Sequence, residues 1–228
     1  VNSLPKTAWR TRLRGARAAA EGPARQAAGT GLARAGMDWL VQLAAGDRPA
    51  AGARGMPAAR AGAGSVRWPG QQQVCTYVSA GSEPSTKELL SSLAAAGVLV
   101  HVPVCEPGFA LSWVRWFPGV PMARSALAPV MEPVGVRQSF SELGHVLAVL
   151  VPALAVDESG TRMGQGGGYY DRFLAGLAGT TAAPGTQVTL AAVVHDDEVL
   201  PAGTLPRDPF DMPVPWALTP SGARRLDG

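Results

Sequence analysis

Apolar and polar positions along this chain follow two different periods, and the switches between them mark out its elements. Over residues 6–43, Trp9, Leu13, Ala16 and Ala20 recur at helical spacing. After an interruption at Gly22-Pro23, Leu32, Met37, Leu40 and Leu43 resume it, so two helices are predicted. Residues 44–70 lose all periodicity and turn rich in Ala, Gly, Arg and Pro, which predicts an inserted loop. Order returns at Val74–Val78, a short β-prone run. Ser85-Thr86-Lys87-Glu88 then matches the S/T-x-x-E capping box, with Leu89, Leu90 and Leu93 on one helix face and Gly97 as the stop. Val98–Val104 is the next strand. Strand, helix and strand in so short a stretch predict a βαβ unit with a parallel pair.

The same reading continues towards the C-terminus. Leu111 to Val120 holds Trp113 and Trp116 and ends at Pro118-Gly119. Those tryptophans are expected in core or hairpin packing ahead of any stacking platform. Val146–Leu150 is wholly apolar, as a strand in the middle of a parallel sheet should be. A Gly-rich loop and a helix with Tyr170, Phe173, Leu174 and Leu177 follow, stopping near Gly179, and Val188–Val194 is another buried strand. After Leu218, Thr219-Pro220 reads as the N-cap and first turn of a last helix. The alternation predicts one α/β domain over residues 1–228, three-layered, with a mostly parallel central sheet and helices on both faces.

Composition narrows the function. At 46% apolar residues the chain can bury a full core, which excludes wholesale disorder. The net charge of +3 is unevenly placed: residues 1–70 hold eleven Lys/Arg against three acids, and the remainder is acidic. A basic N-terminal third suggests an anionic partner, either nucleic acid or a phosphorylated or polycarboxylate small molecule, against the plainer reading of a solvated helix face. Cys75 and Cys105 have no CxxC spacing, and His101, His145 and His195 stand singly, so neither a disulfide framework nor a zinc site follows. The first residues are polar, and the longest apolar stretch, Val146–Val156, is too short to span a bilayer and contains Pro152. A cytoplasmic protein with no membrane contact is expected.

The segment that carries chemistry is Arg162-Met163-Gly164-Gln165-Gly166-Gly167-Gly168-Tyr169-Tyr170-Asp171, which follows a buried strand and opens a helix. Glycines there let backbone N–H groups approach an anion, and the helix N-terminus adds partial positive charge. Arg162 can neutralise phosphate oxygens. Asp171 either complements the helix dipole or holds a Mg²⁺ that bridges phosphates. No Lys-Ser/Thr follows the glycines, which excludes a Walker A loop. A dinucleotide fold would use a similar loop with an acid about twenty positions on, near Asp196 and Asp197. A tight turn with no ligand is the plain alternative, but a turn alone does not call for two tyrosines and an acid.

Pro152–Arg172, with its Arg-x-Gly-x-Gly-x-Gly-Tyr-Tyr-Asp-Arg core, strongly resembles the 5-formyltetrahydrofolate cyclo-ligase (methenyltetrahydrofolate synthetase) family. Lys6-x-x-x-Arg10 resembles its N-terminal ATP-contacting pair, and Tyr77, Glu83 and Thr86 its Tyr…Glu-x-x-Thr segment. Val102-Pro103-Val104, the Trp113/Trp116 pair, Glu132-Pro133, and Leu205-Pro206 through Asp211 to Leu218-Thr219 are similar to further family motifs. The resemblance implies ATP- and Mg²⁺-dependent closure of 5-formyltetrahydrofolate to 5,10-methenyltetrahydrofolate, releasing ADP and phosphate. It implies that Lys6, Arg10 and Arg162 contact ATP phosphates and that Gly164, Gln165, Gly166, Gly167, Gly168, Tyr169 and Tyr170 cradle them. Glu83 would bond the polar edge of the pterin, and Gln165, Gly166, Gly167, Gly168 and Tyr169 would line the folate side. Asp171 and Asp211 would hold Mg²⁺; Asp208 is the other acid of that turn, and the motif spacing favours Asp211. Ser125–Met131 lacks an aromatic pattern before Glu132-Pro133, so the folate-stacking contact is unassigned.

The expected partners are therefore small molecules, ATP and a reduced folate whose polyglutamate tail would meet the basic N-terminal third. A monomer without nucleic acid is expected. Two other functions stay open at this point. One is a dinucleotide-binding oxidoreductase using the same loop, in which Asp196 or Asp197 would bind ribose. The other is a non-catalytic nucleic-acid-binding relative working through the Arg-rich residues 1–70, although only Trp9, Trp39 and Trp68 interleave there.

Overall fold

Two helices open the chain, α1 (Lys6–Ala18) and α2 (Gly22–Ala44), in a computed structural model that describes residues 4–19, 22–46, 68–178, 188–209 and 211–227. Gly22-Pro23 interrupts the pattern as expected, yet it lies in the first turn of α2, where proline's missing N–H has no helical partner to lose. Of the expected 44–70 insertion, residues 47–67 lie outside the described residues, and Trp68 packs back against the core.

The order then runs β1 (Gln73–Cys75), α3 (Lys87–Ala95), β2 (Leu99–Glu106), β3 (Ala110–Trp116), β4 (Met122–Arg124), β5 (Met131–Pro133), β6 (Ala148–Pro152), β7 (Ala155–Asp157) and β8 (Arg162–Met163). It closes with α4 (Tyr169–Ala178), β9 (Thr189–Val193), β10 (Val199–Leu200), β11 (Trp216–Thr219) and β12 (Gly222–Arg225). The main sheet has seven strands in the order β12-β11-β9-β6-β1-β2-β3. Its five inner strands are mutually parallel, and β12 and β3 add antiparallel edges. The mostly parallel α/β sheet is as expected. Two small sheets, β10-β7-β8 and β4-β5, lie beside it.

Three local expectations change. The last helix does not form: Thr219-Pro220 turns the chain into β12, with Thr219 paired to Gly222 across an antiparallel hairpin. The Thr219 hydroxyl donates to the Gly222 carbonyl at 3.1 Å, so it closes a hairpin instead of capping a helix. The capping box at Ser85 is likewise absent. Thr86 holds the N-cap position, but its hydroxyl donates to the Tyr77 carbonyl at 2.7 Å and makes no capping bond. β1 is also three residues long in place of the expected five, although the Thr76 N–H still donates to the His101 carbonyl of β2 at 2.9 Å. Gly97 does end α3, at φ +80°.

One core cluster joins α2 and α3 to one sheet face through Leu32, Leu40, Leu89, Leu93, Val100 and Leu150. Gly36 allows the close approach, since a Cβ there would meet Leu89 Cδ1 at 2.9 Å. The opposite face packs Val149, Val151 and Ala192 against Leu174 of α4. Trp113 is fully buried on that side with Phe140 and Phe173, ring centroids 6.0 and 5.3 Å away. Such pairs add about 0.5–1.5 kcal/mol each beyond burial. This tryptophan is core, as expected. A third cluster seats Trp9 and Leu13 of α1 on Leu154, Ala155 and Met163, tying the N-terminal helix to the small β7-β8 pair.

Candidate active site

The sheet order fixes where a ligand belongs. From β1, beside the central β6, the chain adds β2 and β3 on one side and later β6, β9 and β11 on the other. The direction reverses between β1 and β6, and the crevice beyond the carboxyl ends of those strands is the preferred ligand position in such sheets. The described site residues gather there. Arg162 Nη1 donates to the Pro152 carbonyl at the end of β6, 3.0 Å away, and Arg17 Nη2 to Ala153 at 2.6 Å.

α1 lies along the Gly-rich loop and binds it through basic residues on one face. Arg10 Nε donates to the Gly164 carbonyl at 3.1 Å, and Arg14 Nη2 to the Gln165 carbonyl at 2.6 Å. Neutralising these carbonyls leaves the loop's N–H groups as its free polarity. Glycine is required at two of its positions for different reasons. A Cβ on Gly164 would stand 2.9 Å from Arg162 Nη1, and Gly166 has φ +96°, which side chains other than glycine rarely adopt. α4 begins at Tyr169, so its first turn faces the same space.

Three ion pairs close the polar end. Lys6 Nζ donates to Asp211 Oδ2 at 2.5 Å and to Asp208 Oδ2 at 2.7 Å, and the Asp208 N–H donates to Asp211 Oδ2 at 2.7 Å. Burial alone would lower the Lys6 ammonium, but the two carboxylates outweigh it and hold its pKa above the ordinary value. Arg162 pairs with Asp171, the arginine side chain 4% exposed and the aspartate 47%. Burial is the largest influence on Arg162 and lowers its pKa against the pull of Asp171, Tyr170 and Asp211. Asp171 and Asp211 thus both act on one guanidinium although they come from α4 and from the turn before β11.

On the other flank Gln165 Nε2 donates to Glu83 Oε1 at 3.3 Å, and the Ala80 N–H donates to Glu83 Oε2 at 2.8 Å. Burial raises the Glu83 pKa, with the Ala80 bond opposing. The Cys105 N–H donates to Glu132 Oε1 at 2.8 Å, and the Cys105 thiol lies close to that carboxylate and to Tyr169. Burial and that carboxylate push the thiol up to about 12, so Cys105 is a protonated hydrogen-bonding group and no nucleophile. The Tyr170 hydroxyl is buried and has no protein partner.

Every residue that the sequence marks for the site, from Lys6 and Arg10 through Glu83 and 162–171 to Asp211, is therefore tied to this crevice. Sequence reasoning passed over the partners. Arg14 and Arg17 bond Gln165 and Glu198, acceptors more than 150 positions away that no local pattern names. Asp208 shares Lys6 with Asp211. Phe109, whose ring centroid lies 5.7 Å from that of Tyr169, left no sequence signal. Asp196 accepts the Ser221 N–H at 3.2 Å, a turn contact that gives the oxidoreductase alternative no support. Among the described residues no three His, Cys, Asp or Glu side chains converge as a metal cage.

Comparison with known proteins gives a consistent picture. The sequence profile of the 5-formyltetrahydrofolate cyclo-ligase family matches residues 4–220. A 5-formyltetrahydrofolate cyclo-ligase of Mycolicibacterium smegmatis is 38% identical over 152 residues, covering 64% of this chain and 73% of that protein. The Escherichia coli K12 protein of the same name is 29% identical over 150 residues, 65% of this chain and 78% of that one. The NMR structure of Aquifex aeolicus 5,10-methenyltetrahydrofolate synthetase superposes with a TM-score of 0.62 at 22% identity, over 99% of this chain and 94% of that one.

Proposed function

We infer the function from one premise: the chain belongs to the 5-formyltetrahydrofolate cyclo-ligase family, and it converts 5-formyltetrahydrofolate to 5,10-methenyltetrahydrofolate with ATP. The observation that carries the reading at residue level is the Gly164-Gln165 backbone held by Arg10 and Arg14, with Arg162 anchored at the end of β6 just before the loop, because phosphoryl transfer needs positioned positive charge and no protein nucleophile.

The oxygen of an N-formyl group is a poor leaving group from its carbon, and phosphorylation makes it a good one. That oxygen attacks the γ-phosphorus, and the bond from phosphorus to the ADP oxygen breaks. N10 of the folate then attacks the formyl carbon. The carbon–oxygen bond breaks, phosphate leaves with the N10 proton, and the N5–carbon–N10 bridge is left as the methenyl cation. The chain's share is positional. Lys6, Arg10 and Arg162 neutralise the phosphates while the N–H groups of Gly164 to Tyr170 line them. Glu83 accepts hydrogen bonds from the pterin's ring N–H and amino group, and Gln165 keeps it in place. Gly166 to Tyr169 form the wall between the two substrates.

Two carboxylates without a third protein ligand suit Mg²⁺, which takes one or two carboxylates and fills its shell with water and phosphate oxygen. Asp171 and Asp211 would hold it, and it would supply charge neutralisation between the transferred phosphoryl group and the departing ADP.

We place the reaction in the cytoplasm, on small-molecule substrates and in a monomer. The two free cysteines, Cys75 and Cys105, support a reducing compartment. The exposed arginines of α1 offer the folate's polyglutamate tail a counter-charge. Arg10, Arg14 and Arg17 bind this chain's own carbonyl and carboxylate groups, which favours that reading over a nucleic-acid surface.

Substrate carrying ¹⁸O in the formyl group tests the chemistry. Label recovered in the released phosphate is the expected result, and unlabelled phosphate alongside methenyl product contradicts it.

A further inference from the structure

The hairpin between β2 and β3 turns through Pro107-Gly108-Phe109, and its tip is built against ordinary stability rules. Phe109 has φ +60°, where it is the only described non-glycine residue with positive φ. For a bulky side chain that region is a true outlier, and such backbone persists where the surroundings impose it. The ring gains little in return from burial, being 56% exposed. Glycine would relieve the strain and aspartate or asparagine would tolerate it, yet this position carries an exposed aromatic ring.

That ring has one defined neighbour. It meets Tyr169 edge-on, centroids 5.7 Å apart and planes at 66°. A Cβ on Gly168 would lie 3.9 Å from Phe109 Cδ1, so the ring covers the junction between the glycine loop and α4. Cys105 of the same hairpin lies close to Tyr169, and its N–H is held by Glu132 Oε1 at 2.8 Å. The hairpin therefore presents a ring of fixed orientation on the folate flank of the loop, with a free face towards solvent.

The folate has two flat parts. Its pterin is assigned above to Glu83, and its p-aminobenzoyl ring carries N10 and must lie outward from the pterin, towards the mouth of the crevice. We propose that Phe109 is a substrate-positioning residue, stacking on the p-aminobenzoyl ring and so aiming N10 at the formyl carbon. The proposal rests on the cyclo-ligase reading above. It gives this chain an aromatic contact that the Ser125–Met131 stretch does not offer.

Phe109→Gly, Phe109→Leu and Phe109→Trp separate strain from stacking. Phe109→Gly is expected to melt at or above the wild-type temperature while KM for 5-formyltetrahydrofolate rises about tenfold, the order expected for one aromatic pair. KM for ATP should stay within twofold. Phe109→Trp should restore the folate KM, and Phe109→Leu, which keeps bulk without a π-face, should not. An unchanged folate KM in Phe109→Gly overturns the proposal. So does a rise in KM for ATP in its place, which would assign the ring to adenine, or a parallel loss of melting temperature and both KM values, which would make it structural. A wild-type protein that forms no methenyl product overturns the cyclo-ligase reading and this proposal with it, whereas product from the wild type with an indifferent Phe109→Gly overturns this proposal alone.

Discussion

Lys6 and Asp211 stand 205 positions apart in sequence and 2.5 Å apart in space, and their contact joins the first helix to the turn before the second-last strand. The same ammonium holds Asp208, and beside it Arg162 holds Asp171. Each carboxylate assigned to magnesium is thus paired with a cation assigned to phosphate. Mg²⁺-ATP would bring a partner of the opposite sign to each of them.

Lys6→Ala leaves Asp208 and Asp211 without their cation and, on the proposed reading, removes a phosphate contact. Losing one preorganised donor to a developing charge costs about a hundredfold to a thousandfold in rate. A fall of that order in kcat/KM for ATP is expected, with Lys6→Arg in between, because a guanidinium keeps the charge but not the ammonium's compact geometry. Steady-state kinetics with ATP varied checks both.

Asp171→Asn keeps the shape of the side chain and removes its charge. With Mn²⁺ as the probe ion, binding followed by its paramagnetic resonance signal should weaken about tenfold or more in the presence of ATP, on the order of one lost carboxylate ligand. The melting temperature should fall as well, because the buried Arg162 guanidinium, 4% exposed, loses its counter-charge, so binding is compared well below the unfolding transition.

Gly164→Ala forces a methyl group to 2.9 Å from Arg162 Nη1, and the guanidinium must move. ATP affinity should drop by about tenfold or more in titration calorimetry while the circular dichroism spectrum is kept, since the loop lies outside the sheet. Gly176→Ala, in α4 with open space around its Cβ position, is the control and should bind ATP as the wild type does.

Arg17 and Glu198 form a buried pair, side chains 2% and 7% exposed, that pins α1 to the end of β6. Burial lowers the Arg17 pKa and the Glu198 bond outweighs it, so the guanidinium stays charged. Glu198→Ala leaves that charge unpaired and should cost about 3–5 kcal/mol in urea unfolding. Arg17→Met combined with Glu198→Leu should recover much of the loss, which separates the missing partner from the missing contact.

Glu83 supplies a pH signature. Its folded pKa is raised, chiefly by burial, so the folded chain holds a proton that the unfolded chain has already released. Its contribution to stability is present below the unfolded carboxylate value and is lost as pH rises through the folded one. Glu83→Gln should therefore melt higher than wild type at neutral pH, and the gap should close below the ordinary carboxylate range. The folate KM should behave oppositely. In wild type it rises as pH falls through the raised pKa, because a protonated Glu83 no longer accepts two hydrogen bonds, and in Glu83→Gln it is high and flat.

Much of this was legible in the sequence where one period dominated. Val146–Leu150 announced the central strand because burial on both sheet faces leaves no polar position, and Trp9 and Leu13 announced α1 at helical spacing. Thr219-Pro220 and Ser85–Glu88 misled for a shared reason. A threonine hydroxyl serves a hairpin or a neighbouring carbonyl as readily as a helix cap, and only the tertiary partners, Gly222 and Tyr77, decide which. At the site, residue types and local spacing exposed Arg162 and Asp171, nine positions apart. Glu198 and Phe109 acquire their meaning from contacts across the fold, and no local pattern encodes them.

The central claim is a ring closure driven by ATP, and the appearance of methenyltetrahydrofolate absorbance tests it most directly. Purified protein is mixed with 5-formyltetrahydrofolate, ATP and Mg²⁺, with single omissions and Asp171→Asn run in parallel. Product that requires both ATP and Mg²⁺, and that forms at least about a hundredfold more slowly with Asp171→Asn, is the predicted result. Folded wild-type protein that binds ATP and yet forms no product, or forms it equally well without ATP, would contradict the account.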